Sequence, residues 1–214
     1  MRLFDRFQQG KLETGRIEAF SDGVFAIVVT LLVLELKVPE MRDTNNVGEL
    51  GHRLLDLLPK FLSWMISFII VCKFWLNHHY LLGLARHATY GMAWLNSLFL
   101  MFQSLIPFPT ALLGEHPGNP LAVSIFGIVM ALNTVLFLIL QTYILHNLLK
   151  PELTPVNVTN LRWKMVIGPL FYLLGASAAC FSTRAAFALY MITPFFFITP
   201  LTRAVRKDGA DMLS

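Results

Sequence analysis

Four polar residues stand directly before an apolar run: Arg16, Glu18, Ser21 and Asp22 precede Gly23 to Leu34. Carboxylates at the mouth of an apolar helix take up protons or attract cations, and they are tolerated there only when they face protein or water rather than lipid. With Ile17 opening the apolar stretch, Asp22 lies roughly 7 to 8 Å inside it at the helical rise per residue. One reading makes Ser21 and Asp22 caps of a shorter helix that starts near Gly23. The apolar spacing Ile17, Phe20, Val24 instead favours a helix running through them. Arg16 and Asp22 are then about 240° apart around the axis and do not pair on one face, so Asp22 needs a partner elsewhere. Further on, Lys73, His78 and His79 interrupt a second apolar run. Adjacent histidines point about 100° apart, which makes them poor joint metal ligands.

The elements carrying these residues are set by composition. Of 214 residues, 56% are hydrophobic and only 14% charged, against about a quarter charged in an ordinary soluble domain. The mean hydropathy is +0.61. Disorder, collagen and coiled-coil patterns are excluded, and an integral membrane protein remains. The 17 basic residues against 13 acidic ones form no patch suited to nucleic acid; they fall between apolar runs. Cys72 and Cys180 each lie within an apolar run, so both read as small apolar side chains with no disulfide or metal role. The polar start of the chain lacks the pattern of a cleaved signal peptide.

A membrane-spanning helix needs about 20 mostly apolar residues. Six stretches are expected to cross: Ile17 to Val38, Leu57 to Leu82, Tyr90 to Leu113, Leu121 to His146, Met165 to Thr183 and Ala185 to Thr202, with Arg184 at the tip of the last hairpin. The fold class is therefore all-α, a six-transmembrane-helix protein, with an N-terminal segment 1–16, a membrane domain 17–204 and a C-terminal tail 205–214. With the N-terminus inside, eleven Lys and Arg fall on the cytoplasmic side, five fall outside, and Lys73 lies within the second span. That bias puts both termini in the cytoplasm of a cell-membrane protein. The outer loop Glu35 to Lys60 holds five acidic residues, which would concentrate cations at an outer mouth, with Glu35 at its rim. Pro107, Pro109, Pro169, Pro194 and Pro200 read as kinks rather than breaks. No internal repeat is visible, so any symmetric pathway must come from oligomerisation.

The segment RxxxFSDGVFAI, continuing as VVTLLVLELKVP, resembles the amino-terminal signature of the transmembrane protein 175 family of potassium channels, in its prokaryotic single-unit branch. FWLNHH in the second span and WLNSLFLMFQSLIPFPTALLGEH in the third are also similar to that family, so the resemblance is strong to about Glu115. It implies a homotetramer in which four copies of the first helix surround a potassium pathway. Carried over by motif, Ile27 is the hydrophobic constriction, Thr30 supplies a hydroxyl layer contributing to selectivity, and Leu31 and Leu34 extend the apolar neck. Arg16, Phe20, Ser21 and Asp22 form the family motif. The resemblance further implies a structural network with polar groups of the second and third spans, for which Trp75, His78 and Asn96 are the candidates. Lys73 is not part of that pattern; snorkelling to the interface, or pairing with Asp22 or Glu18, would accommodate it.

Helix geometry is compatible with this placement. Ile27, Leu31 and Leu34 share one face, with Thr30 beside them. Taken by itself, the same stripe also reads as ordinary packing, with Thr30 bonded back to the Ala26 carbonyl. No TVGYG-like segment and no Arg-rich helix with regular spacing occurs, so modest selectivity and no intrinsic voltage sensing are expected. The expected function is a potassium-selective leak-type channel, with potassium as the permeant ion, no cofactor, and the bilayer and three further copies of the chain as partners. A proton-coupled cation transporter using Glu18, Asp22 and a histidine is the alternative. A membrane enzyme using His78, His79 and Asp22 is disfavoured, because no HExxH, GxSxG or CxxC constellation occurs.

Overall fold

The computed structural model describes residues 13–155, 158–196 and 204–206. The expected N-terminal segment up to residue 12, the end of the sixth span at 197–203 and the tail from 207 lie outside the described residues. The first helix, α1 (Thr14–Leu32), continues into a short 3-10 turn at Val33–Glu35. It runs straight through Ser21 and Asp22, so these residues do not cap a shorter helix. Ser21 donates its hydroxyl to the Ile17 carbonyl at 2.7 Å, a bond available inside a continuous helix.

The outer loop contains a helix, α2 (Val47–Asp56), which was not expected from the sequence. Asn46 caps it, its side-chain oxygen accepting the Glu49 amide at 3.0 Å. The Glu49 carboxylate in turn accepts the amides of Arg42 and Asp43 at 3.1 and 3.3 Å. Those donors hold the Glu49 carboxyl below its ordinary value, with Arg53 adding to the effect.

Only Leu57 separates α2 from α3 (Leu58–Gly83). The third expected span is two pieces, α4 (Tyr90–Ser104) and α5 (Pro107–Glu115). Leu105 and Ile106 between them keep right-handed helical dihedrals. Their amides bond three residues back, to Phe102 at 3.3 Å and Gln103 at 3.1 Å. Pro107 and Pro109 carry no N–H for the regular ladder, and the helix tightens here while its backbone keeps helical dihedrals. The fourth span is α6 (Pro120–Asn147), started by Asn119, whose side chain accepts the Leu121 amide at 2.9 Å.

Two further helices, α7 (Val158–Ala178) and α8 (Thr183–Phe196), follow. Arg184 lies inside α8 rather than at the hairpin tip. Ser182 accepts the Ala185 amide at 3.3 Å and starts the helix, which moves the turn back to Ala179–Ser182. Cys180 therefore sits exposed in that turn, not within a span as expected. The chain is also not purely α: β1 (Leu153–Pro155) pairs antiparallel with β2 (Ala204–Arg206), drawing the start of the expected tail back to the loop before α7.

Among the described residues, four helical segments are long and apolar enough to cross a membrane: Thr14–Glu35, Leu58–Gly83, Tyr90–Glu115 and Pro120–Asn147. The described part of α8 is 14 residues, about 21 Å. The core joins α1, α3, α4 and α6 around Phe99, whose ring centroid lies 6.1, 5.8 and 5.5 Å from those of Phe25, Phe74 and Phe137. Helices α6, α7 and α8 close on Tyr190. Its hydroxyl donates to the Val123 carbonyl at 3.0 Å, and its ring passes so near Gly127 and Gly175 that a side chain at either would collide with it. Near the other end of α6, the Arg86 amide donates to the Leu148 carbonyl at 2.8 Å and the Lys150 amide to the Leu84 carbonyl at 3.1 Å, tying the α3–α4 loop to the end of α6.

Candidate functional site

Helix α1 has two unlike faces. Ser21, Phe25, Val28 and Leu32 recur at helical spacing and are buried against the other helices. Ile27, Thr30, Leu31 and Leu34 turn the other way and stand exposed among the described residues. Ile27 is 59% exposed, Leu31 42% and Leu34 65%, although each is strongly apolar. Phe20, 61% exposed, continues the stripe two turns below Ile27, and a side chain at Gly23 would meet nothing within 4 Å. Small residues Ala19, Gly23, Ala26 and Thr30 accompany the stripe and are also exposed. Small residues on a bare face of a membrane helix permit close approach of another helix.

The Thr30 hydroxyl lies 3.0 Å from the Ala26 carbonyl and 2.9 Å from the Ile27 carbonyl. It donates back to its own helix, as the packing reading of the sequence supposes. One hydroxyl proton is used this way, and the oxygen keeps acceptor capacity on the exposed side.

The polar end of α1 is tied down. His78 on α3 lies with Nε2 2.6 Å from the Asn96 side-chain oxygen on α4, and the Asn96 amide nitrogen donates to the Ser21 hydroxyl at 3.0 Å. Ser21, His78 and Asn96 are all at most 2% exposed. Phe99 stacks on His78 at 5.8 Å between centroids, which packs the imidazole from one side. One turn out from this buried chain, the Trp75 indole donates to the Asp22 carboxylate at 2.8 Å. The structure thus brings Ser21, Asp22, Trp75, His78 and Asn96 to one junction of α1, α3 and α4.

Arg16 and Phe20 lie apart from those contacts. They line a cavity of about 320 Å³ between α1 and α4, together with Glu13, Ile17, Ala93, Asn96 and Ser97. Sequence reasoning missed one pair: Glu18 meets His79 with 2.9 Å between Oε1 and Nδ1, and His79 stacks on Trp75 at 6.1 Å. The signal was available in the 100° offset between adjacent histidines, which buries His78 and leaves His79 on the face that Glu18 reaches. Among the described residues, no group of three metal-ligating side chains comes together.

Fold and site together define a multi-pass helical membrane protein whose first helix carries a bare apolar stripe above a clamped polar base. Residues 16–107 match the family model described as endosomal/lysosomal potassium channel TMEM175. The chain is 32% identical over 187 residues to a protein of Chryseobacterium sp. named a potassium channel, covering 87% of this chain and 93% of that one. It is 46% identical over 127 residues to a protein of Chamaesiphon minutus, also named a potassium channel, covering 58% of this chain and 62% of that relative. The crystal structure of a lysosomal potassium-selective channel TMEM175 homolog from Chamaesiphon minutus superposes with a TM-score of 0.74 at 34% identity, covering 86% of this chain and 95% of that one. The human protein named endosomal/lysosomal proton channel TMEM175 is 42% identical over 101 residues, and the match spans 20% of its length. The chain belongs to the TMEM175 family, a family of ion channels and not of enzymes.

Proposed function

We propose that the protein is a leak-type cation channel that favours potassium modestly over sodium. In this reading six helices cross the cell membrane, both termini are cytoplasmic, and four chains assemble with their α1 helices around a central path. The observation that carries it is the bare stripe of α1. Large apolar side chains at Ile27, Leu31 and Leu34 are left uncovered by the fold that buries the opposite face of the same helix, and the small residues beside them suit close approach of symmetry copies.

Four Ile27 side chains form the constriction, an apolar ring that dewets when narrow and passes a largely stripped ion when it widens. Four Thr30 hydroxyls lie one turn further along. Because each donates its proton back to its own helix, its oxygen presents lone pairs to the ion and replaces part of the lost hydration. Leu31 and Leu34 continue the neck. Arg16 and Phe20 flank the approach, while the links among Ser21, Asp22, Trp75, His78 and Asn96 fix how far each α1 stands from the axis. Potassium is the permeant ion and no cofactor takes part.

A proton-coupled cation transporter is the second reading, favoured by the Glu18–His79 contact of 2.9 Å at the polar end of α1. The experiment that separates the two is the current through purified protein in a planar bilayer, with potassium on one side, sodium on the other and equal pH. A steady current reversing towards the potassium potential supports the channel. No current at equal pH, with cation uptake once a pH gradient is imposed, overturns it in favour of the transporter.

A further inference from the structure

The outer-loop helix α2 has no buried residue, yet it is strongly two-sided. Val47, Leu50 and Leu54 fall on one line of the helix, and Leu58 and Phe61 continue that line onto α3. All five are exposed. Glu49, His52, Arg53 and Asp56 occupy the opposite side. An unpartnered apolar line of this kind is costly to hold in water, because each of its side chains gains by leaving it.

The position of the helix indicates what covers the line. Leu57 alone joins α2 to the membrane-crossing α3, so α2 cannot leave the membrane boundary by more than its own length. Phe61, Trp64 and Phe68 form a ring cluster at the start of α3, with centroids 5.2 and 5.8 Å apart. The apolar line of α2 thus runs into the exposed rings of Phe61 and Phe68 on the membrane-crossing helix. The exposed line is built of large Val, Leu and Phe side chains and runs unbroken from α2 into the start of the membrane-crossing helix. On the polar side Glu49 pairs with Arg53 at 3.8 Å, so attachment rests on apolar burial and not on attraction to anionic headgroups.

We propose that α2 is an interfacial helix, seated in the headgroup–acyl boundary with Val47, Leu50 and Leu54 turned into the lipid. It anchors the loop between the first two spans to the membrane surface beside α3.

Site-directed spin labelling tests this in phosphatidylcholine vesicles. Single cysteines at 47, 49, 50, 52, 53, 54 and 56, in a Cys72→Ser/Cys180→Ser background of the full chain, report access of oxygen and of a water-soluble nickel chelate. The expected ratio of oxygen to nickel access is roughly threefold or more higher at 47, 50 and 54 than at 49, 52, 53 and 56. Equal nickel access at all seven positions places the helix in water and overturns the proposal. Exclusion of both reagents at 50 and 54 overturns it in favour of another protein copy on that face. In the unsubstituted chain, a photoactivatable phosphatidylcholine must label the peptide holding Leu50 and Leu54; an unlabelled peptide is equally fatal.

Discussion

The two halves of α1 are held in different ways. In the first half, Ser21, Asp22 and Glu18 each reach a side chain of α3 or α4, and the junction they make is partly buried. In the second half, among the described residues, no side chain bonds to another helix: the Thr30 hydroxyl returns to its own backbone, and Ile27, Leu31 and Leu34 stand exposed. A helix clamped along its whole length would belong to the core of its own subunit. One clamped at its base, with a bare stripe above, has its position fixed and one surface left for copies of itself and for an ion.

That contrast is broken most severely at the base. Replacing Asn96 by Leu leaves His78 Nε2 without its partner in a buried site, which costs about 1–3 kcal/mol. A clearly lower apparent Tm in detergent is expected, and an unchanged Tm would show that the buried chain does not hold α1. Above the base, Ile27→Ala should leave Tm nearly unaltered, since the side chain is exposed within its subunit. Sodium permeability should rise several-fold in bilayer recordings, and an unaltered sodium current would move the constriction elsewhere. Thr30→Ala should lower the potassium-to-sodium permeability ratio by roughly 2- to 5-fold, a difference of under about 1 kcal/mol, with total current less affected. A reversal potential identical to the parent would remove the hydroxyl from selectivity.

Smaller effects sharpen the same comparison. Trp75→Phe keeps a ring against His79 but removes the donor to the half-exposed Asp22, so a loss of about 0.5–1 kcal/mol is expected. The loop beyond the bare half is held by Glu49, whose lowered carboxyl value has a definite sign. The folded form binds its proton less readily than the unfolded chain, so the contribution is fully present above the ordinary carboxylate value and is lost as pH falls through the lowered one. Protection factors of the Arg42 and Asp43 amides, taken relative to the intrinsic exchange rate at each pH, should fall on acidification in that range, and pH-independent protection would show that the carboxylate does not hold these amides.

Long apolar runs made the four strongest spans legible to within a few residues: Leu57 to Leu82 was expected where α3 covers Leu58–Gly83. Hydropathy averages over a window, so it hid α2, whose apolar line is diluted by Glu49, Arg53 and Asp56. It also misplaced the last turn, because a cap by Ser182 is a single hydrogen bond and alters no average. The pairing of β1 with β2 joins segments about 50 residues apart through backbone groups that carry no side-chain signature. Within the site, helical spacing placed Ile27, Thr30, Leu31 and Leu34 together, but the same spacing fits core packing, and only the fold shows which side of α1 is bare. The link from Asn96 to Ser21 crosses 75 positions. Spacing within one helix cannot reveal such a contact, and it was the motif resemblance that singled out both residues.

The most direct test of the bare stripe as the ion path is thiol accessibility during conduction. In the Cys72→Ser/Cys180→Ser background, cysteines placed one at a time at Phe20, Gly23, Ile27, Thr30 and Leu34 should let a charged methanethiosulfonate reagent block the potassium current, while cysteines at Phe25, Val28 and Leu32 should not. Block from the buried side, or none from the bare side in channels that conduct, would contradict the account.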